Sequence, residues 1–368
     1  MRKVQRSTLL WVVLTCCAVP ASLATASGYA YEKRLVASDL IYPWGVTDLG
    51  ESTVLVSTKG GKLLIVDRES GSKRFVYGMP KSYGLMGVTG RRCSASHAHI
   101  FFAFVDKIGN RFVFSVSQAI VDLDEATLPE VQTIFELEET FLSAPFSGGG
   151  VLLVDDRILY FTTANHQEPY PSDFNPENGS GSVFSIELEP LCSTKLVPLR
   201  NTPKLISYGH RNSQALAVSV DSRSLVSVEH GPIGGDELNL LGGLLDHGWP
   251  YETAGEFHSP EGALDRPTAS TAEVAKPAFV WDRTIAPTGI IPFGENTRTE
   301  HGNCFVLSTL KSGLVGVCQA GPQFVEMEVL ESFTGRLRNI SVGLDGSILV
   351  LTDGYEGKLF ELTGLGLR

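Results

Sequence analysis

One unit recurs along this chain and restricts its fold more than any other feature: a turn, an apolar alternating strand, then a glycine and a second strand. Asp48-Leu49-Gly50 precedes Thr53 to Val56, with Gly61 to Val66 behind it. Asp155-Asp156 precedes Ile158 to Phe161, with Gly181 to Ile186 behind it. Asp221 precedes Leu225 to Val228, with Glu237 to Leu240 behind it, and Asp345-Gly346 precedes Ile348 to Leu351, with Gly357 to Leu362 behind it. Little of the chain has helical periodicity, so the pattern argues for an all-β fold. Imperfect repeats of antiparallel strands in one chain are what a β-propeller requires, because radial packing leaves only short, protected edges. Two β-sandwich domains would be the alternative. They should be joined by a linker rich in Pro, Gly and Ser, and no such stretch divides the chain, so residues 27–368 are read as one closed domain.

The first 26 residues read as an export signal. Arg2, Lys3 and Arg6 precede an apolar run from Leu9 to Val19, and Ala24-Thr25-Ala26 offers a small-residue cleavage site. A retained anchor competes with this reading, since Ser7 to Ala26 is nearly long enough to span a bilayer; Pro20 and the small residues after it favour cleavage. The expected destination is periplasmic or extracellular, with no stable membrane span after cleavage. Losing Arg2, Lys3 and Arg6 takes the formal charge from −11 to −14. So acidic a chain is a poor partner for nucleic acid, and any anionic ligand must be gripped by a local basic pocket. Cleavage also removes Cys16 and Cys17, leaving Cys93, Cys192, Cys304 and Cys318, an even number for an oxidising compartment. Cys304 and Cys318 lie symmetrically about Lys311, so a hairpin turning at Lys311 would bring them face to face as a disulfide.

The densest chemistry lies between residues 209 and 237. Gly209-His210-Arg211-Asn212-Ser213-Gln214 and Glu229-His230-Gly231-Pro232-Ile233-Gly234-Gly235-Asp236-Glu237 gather a cation, amides, two imidazoles and a glycine-rich acidic turn. Glycines let backbone carbonyls approach a ligand, and an arginine fork can grip a carboxylate in bidentate fashion. That combination suits an anionic small molecule accompanied by a hard cation. On residue types alone, a turn-rich loop whose Arg211 pairs with a surface acid stays open as the other reading.

Together with Gly248-Trp249-Pro250, Trp281, Ile285 to Gly289, Leu310-Lys311-Ser312-Gly313, Arg336-Leu337-Arg338-Asn339, Asp345-Gly346 and Leu351-Thr352-Asp353, these runs fall in one family's order. They resemble the soluble quinoprotein glucose/sorbosone dehydrogenases, which use pyrroloquinoline quinone (PQQ). The resemblance implies a six-bladed β-propeller, and about 340 mature residues suffice for six blades with insertions. It implies that Lys311, Arg336 and Arg338 hold or polarise PQQ, that Arg211 and Asn212 contact it, and that the backbone carbonyls of Gly231 and Pro232 help bind calcium. The implied activity is oxidation of an aldose or related alcohol, with electrons passing to an external acceptor.

The resemblance fails at the proton acceptor. Aligning Gly148-Gly149 and Leu159-Tyr160 with the family pattern puts Phe146 at the family's catalytic histidine and Asn165 at the acid that orients it. Phenylalanine cannot take a hydroxyl proton. Ser82 stands where a glutamine is common, and His247 replaces the tyrosine of an Asn-Tyr-Gly-Trp-Pro pattern that helps a second calcium site in some members. His166, at the mouth of a long loop from Asn165 to Gly181, is the expected relocated base. The other class of function is a catalytically silent propeller that keeps the anion pocket for binding or as a scaffold.

Overall fold

The computed structural model describes residues 24–26, 29–137, 148–165, 179–193, 195–221, 223–258, 273–294, 303–327, 333 and 335–364. Phe146, His166 and nearly all of the expected signal segment lie outside them. The described residues form 26 strands and the turns between them, with no helix, arranged as six sheets.

The first blade holds β3 (Pro43–Gly50), β4 (Thr53–Thr58), β5 (Leu63–Asp67) and β6 (Lys73–Phe75). In the second are β7 (Gly84–Arg92), β8 (His97–Ile108), β9 (Arg111–Asp122) and β10 (Thr127–Glu136). The third has β11 (Val151–Val154), β12 (Ile158–Thr162), β13 (Val183–Glu187) and β14 (Lys204–Tyr208), with β18 (Leu245–Asp246) added at its edge. The fourth has β15 (Ser213–Val218), β16 (Leu225–Glu229), β17 (Glu237–Leu241) and β19 (Phe279–Val280). The fifth has β20 (Pro287–Phe293), β21 (Cys304–Thr309), β22 (Leu314–Ala320) and β23 (Gln323–Met327). The sixth is β24 (Leu337–Val342), β25 (Ile348–Thr352) and β26 (Gly357–Thr363), completed by β2 (Tyr29–Leu40) and β1 (Ala24–Ala26) from the other end of the chain. The molecule is a six-bladed β-propeller.

Strands from the two ends of the chain therefore close the ring. β2 pairs antiparallel with β26 from Glu32 opposite Thr363 to Leu40 opposite Gly357. Ion pairs reinforce the seam: Glu361 meets Arg34 at 2.6 Å and Arg68 at 2.8 Å, and Arg68 also meets Asp48 at 3.1 Å and Asp345.

The innermost strands β3, β7, β11, β15, β20 and β24 line an axial channel of about 990 Å³. Five of them carry a register shift near the start: at Trp44-Gly45, Met86-Gly87, Gln214, Thr288 and Arg338. Such bulges turn a side chain out of the ladder and toward the end of the barrel or ring. In three of these blades a glycine sits in or just beyond the bulge, because the neighbouring blade's backbone comes within contact there: a Cβ on Gly45 would lie 3.0 Å from the Met86 carbonyl, and one on Gly289 2.9 Å from the Ile340 nitrogen. Hydroxyls stitch blade to blade at the same level. Ser57 donates to the Met86 carbonyl, Thr162 to Ser213 (2.8 Å) and Thr288 to Leu337 (2.9 Å).

Because the strands alternate, the starts of all six innermost strands share one face with the turns joining each blade's second and third strands. That upper face collects Trp44, Arg211, His230, Gly231, Lys311, Arg336 and Arg338. Two disulfides lie in the blades. Cys304 and Cys318 are directly opposite in the β21–β22 ladder (Cα separation 4.0 Å), and Cys93 joins Cys192 across the second and third blades (5.0 Å). No helix among the described residues is long and apolar enough to cross a membrane.

Candidate active site on the upper face

The entry to β15 hangs on one buried carboxylate. Glu229 Oε2 accepts from the backbone N–H of Arg211 (2.8 Å) and Asn212 (3.3 Å), while Oε1 accepts from Asn239 Nδ2 (2.6 Å) and meets His210 Nδ1 at 2.9 Å. His210 Nε2 in turn meets the Ser207 hydroxyl at 2.8 Å. Ser207, His210 and Glu229 are all buried, so this serine, histidine and carboxylate line positions the loop and is closed to substrate. Burial opposes charge on Glu229, but His210 beside it prevails and holds its carboxyl below the usual range.

Thus anchored, the loop projects Arg211 and Asn212. Arg211 Nη1 donates to the carbonyls of Gly231 (3.0 Å) and His230 (3.4 Å), its guanidinium lies 5.3 Å from the Trp249 ring centroid, and Nη2 stands 3.4 Å from His258 Nε2. Asn212 Oδ1 accepts from Gly148 N (3.0 Å) and Gln214 Nε2 (2.7 Å), and its amide nitrogen faces His230 Nδ1 at 3.4 Å. His230 Nε2 donates to the Pro287 carbonyl (2.8 Å), which fixes the neutral tautomer with Nδ1 as acceptor. Burial pushes His230 down; Asp236 and the Pro287 carbonyl pull the other way, and the Arg338 and Arg211 cations add to the depression. The Gly231 turn is fixed by Asp236, which accepts from the N–H groups of Ile285 and Ala286 (2.7 Å each) and Gly231 (3.2 Å).

On the opposite rim, Arg336 is exposed and paired with Asp353, its Nε 2.8 Å from Oδ2. Arg338 differs. Its side chain is turned in by the β24 bulge, is 7% exposed, and lies over Trp44 with Cζ 3.4 Å from the ring centroid. It makes no side-chain hydrogen bond or ion pair among the described residues, and its buried Nε has no partner. Burial depresses this guanidinium to about 10; the Asp353 carboxylate pulls the other way and Arg336 adds to the depression. Lys311 stands on the same face at the exposed turn of the fifth blade, where its backbone N–H donates to the Ile285 carbonyl (3.2 Å). The upper face thus presents a rim of cations around the channel mouth, one of them buried and unpaired.

A family model described as Glucose / Sorbosone dehydrogenase matches residues 40–361. The chain belongs to that family. It is 24% identical over 371 residues to the aldose sugar dehydrogenase YliI of Escherichia coli (strain K12), covering 97% of this chain and 99% of the relative. Its fold superposes on a crystal structure of glucose dehydrogenase with a TM-score of 0.74 at 24% identity, over 89% of this chain and 98% of the other. The PQQ-bound aldose sugar dehydrogenase of Streptomyces coelicolor gives 0.63 at 20% identity, over 92% and 99%.

Behind the rim, this member of the family holds two titratable groups neutral, one imidazole and one carboxyl. His247 stacks on His210 (ring centroids 4.2 Å apart, 25° between planes), and neither of its ring nitrogens has a partner. Burial and the neighbouring His210 depress it to about 3. Glu237, half-buried and beside Glu229, is pushed up to about 8 by desolvation and by that neighbouring carboxylate. Asn165 is buried, and its backbone N–H donates to the Arg211 carbonyl (2.8 Å). Ser82 packs against Gly61 of the first blade. Sequence reasoning passed over Trp44 and His258. A bulge and an insertion bring them to the mouth, and neither stands in a motif.

Proposed function

We propose that this protein is an exported PQQ-dependent dehydrogenase of aldoses or related alcohols, passing electrons to an external acceptor. The observation that carries this reading is Arg338. A buried guanidinium whose nearest acid, Asp353, acts on it only at a distance is costly, and an anionic ligand at the mouth reduces the cost. PQQ is a planar tricarboxylate, and the rim supplies cations for it: Arg338 on Trp44, Arg336 held by Asp353, Lys311, and Arg211 on Trp249. Arginine forks match carboxylates and keep their charge. When bound, PQQ supplies a quinone that accepts hydride. Asn212, fixed through Gly148, Gln214 and His230, contributes an oriented amide at the same mouth.

Calcium fits only with help from the ligand. Gly231 and Pro232 offer two carbonyl oxygens, one already accepting from Arg211, and the described residues contain no cluster of three metal-binding side chains. Since calcium takes six to eight oxygens, the ligand's own oxygens and water complete the set in this reading. A silent propeller is the second reading, favoured by Phe146 and Asn165 at the family's acid–base positions. The test is dye reduction by protein reconstituted with PQQ and calcium, assayed over a panel of aldoses. Saturable, PQQ-dependent turnover supports the dehydrogenase; bound PQQ with no turnover on any aldose or alcohol leaves the silent propeller.

A further inference from the structure

Six histidines are described, and the structure sorts them by access. His97 and His99 begin β8 on the lower face, and His99 is tied to Gln118. His210 uses one nitrogen on Glu229 and the other on Ser207. His230 uses one on the Pro287 carbonyl and the other on Asn212. His247 is sealed beneath His210. Among the described residues this leaves His258 as the exposed imidazole at the upper mouth.

Its position is built rather than incidental. Ile233 and Glu256 exchange a pair of backbone hydrogen bonds (3.0 Å each), tying the segment before His258 to the Gly231 turn. The next residue, Phe257, stacks on buried Trp249 (5.3 Å, 23°), the same ring that carries Arg211. His258 Nε2 then faces Arg211 Nη2 at 3.4 Å. A guanidinium only donates, so the nitrogen facing it is the unprotonated one, and its lone pair is directed at Arg211 on the upper face. At that length the contact is weak enough to yield when Arg211 turns to a carboxylate ligand.

We propose that His258 is the catalytic base of this chain, taking the role that the family gives to the histidine replaced here by Phe146; the proposal rests on the dehydrogenase reading above. At the carbon being oxidised, the O–H bond breaks with its proton passing to His258 Nε2, the C–H bond breaks with hydride passing to the quinone oxidant, and a C=O bond forms. His258 is exposed and makes no core contact, so substituting it leaves the fold intact.

The experiment uses the full chain with PQQ and calcium, in wild type, His258→Gln and His258→Gly. PQQ binding is titrated first by absorbance, then dye reduction is measured, then the histidine ring resonances are followed by NMR during the PQQ titration. Both variants should bind PQQ within about twofold of wild type and lose on the order of 10²- to 10⁴-fold in turnover. Added imidazole should restore turnover to His258→Gly, which loss of a merely structural residue would not allow. The His258 resonance, assigned by its absence in the variants, should move as PQQ binds while that of His97 stays. Undiminished turnover in both variants, or a His258 resonance that ignores PQQ, overturns the proposal. Wild type that fails to bind PQQ or to turn over overturns the dehydrogenase reading itself, and is read before any variant is made.

Discussion

Arg338 shows how a single residue can be set against stability. It is buried on Trp44 with no hydrogen-bonded acid among the described residues, and its depressed guanidinium reflects burial that Asp353 offsets only in part. Replacing it with methionine keeps contact with the indole and removes the lone charge, so Arg338→Met should raise the stability of the ligand-free protein by about 1–3 kcal/mol in urea unfolding. A loss of stability would mean that the cation is satisfied without a ligand. His247 and Glu237 set the pH response. His247 falls from an ordinary 6.5 to about 3, so the unfolded chain takes up a proton that the fold refuses, and stability is lost as pH drops from 6.5 toward 3. Glu237 rises from 4.5 to about 8, so the fold holds a proton that the unfolded chain has released, and stability is lost as pH climbs from 4.5 to 8. Each slope is about 1.4 kcal/mol per pH unit, and the two oppose each other between 4.5 and 6.5. His247→Phe should flatten the acid limb and Glu237→Gln the alkaline one; unfolding curves against pH that are unchanged in both variants would contradict these assignments.

At the scale of the strand, the recurring bulge and the residue just beyond it govern the mouth. Trp44-Gly45-Val46, Met86-Gly87-Val88 and Thr288-Gly289-Ile290 repeat the same local solution, with Gln214-Ala215-Leu216 and Arg338-Asn339-Ile340 in two other blades and Gly149-Gly150-Val151 in the blade whose inner strand has no register shift. A methyl group on Gly87 would strike the Gly149 carbonyl of the next blade, whereas one on Gly60 meets nothing closer than 3.9 Å. Gly87→Ala should therefore cost about 1–3 kcal/mol in thermal unfolding and Gly60→Ala much less. Equal effects would remove the argument for close blade contact. This innermost repeat was in plain view in the sequence, yet the unit read there was the second and third strands of four blades, because their apolar runs are bounded by Asp and Gly turns. The second blade escaped notice. Its β8 and β9 run twelve residues each, so the turn signals fall farther apart than elsewhere.

For the molecule as a whole, closure comes from the pairing of β2 with β26 and from two disulfides of unequal reach. The Cys304 and Cys318 pairing was legible as symmetry about Lys311, since both lie in one hairpin. Cys93 and Cys192 are separated by 99 positions and sit in different blades, and nothing local in the sequence links them. Loop-closure entropy assigns about 4.7 kcal/mol to a bridge of that span and about 3 to one of 14 positions. Cys93→Ser with Cys192→Ser should accordingly lower the denaturation midpoint more than Cys304→Ser with Cys318→Ser; the reverse order would place the weak seam of the ring elsewhere. The family motifs made the propeller and the cations of its mouth readable, because those residues sit next to turn glycines. The stacking of Arg338 on Trp44 and the approach of His258 to Arg211 depend on a bulge and on an insertion folding back, which spacing does not encode. The most direct test of the account is thermal unfolding of the ligand-free protein during titration with PQQ in the presence of calcium. A ligand that binds only the fold raises its stability by mass action, so the midpoint should climb with PQQ concentration in wild type and climb less at each concentration in Arg338→Met. A wild-type midpoint that does not move with PQQ would contradict the assignment of this mouth as the cofactor site.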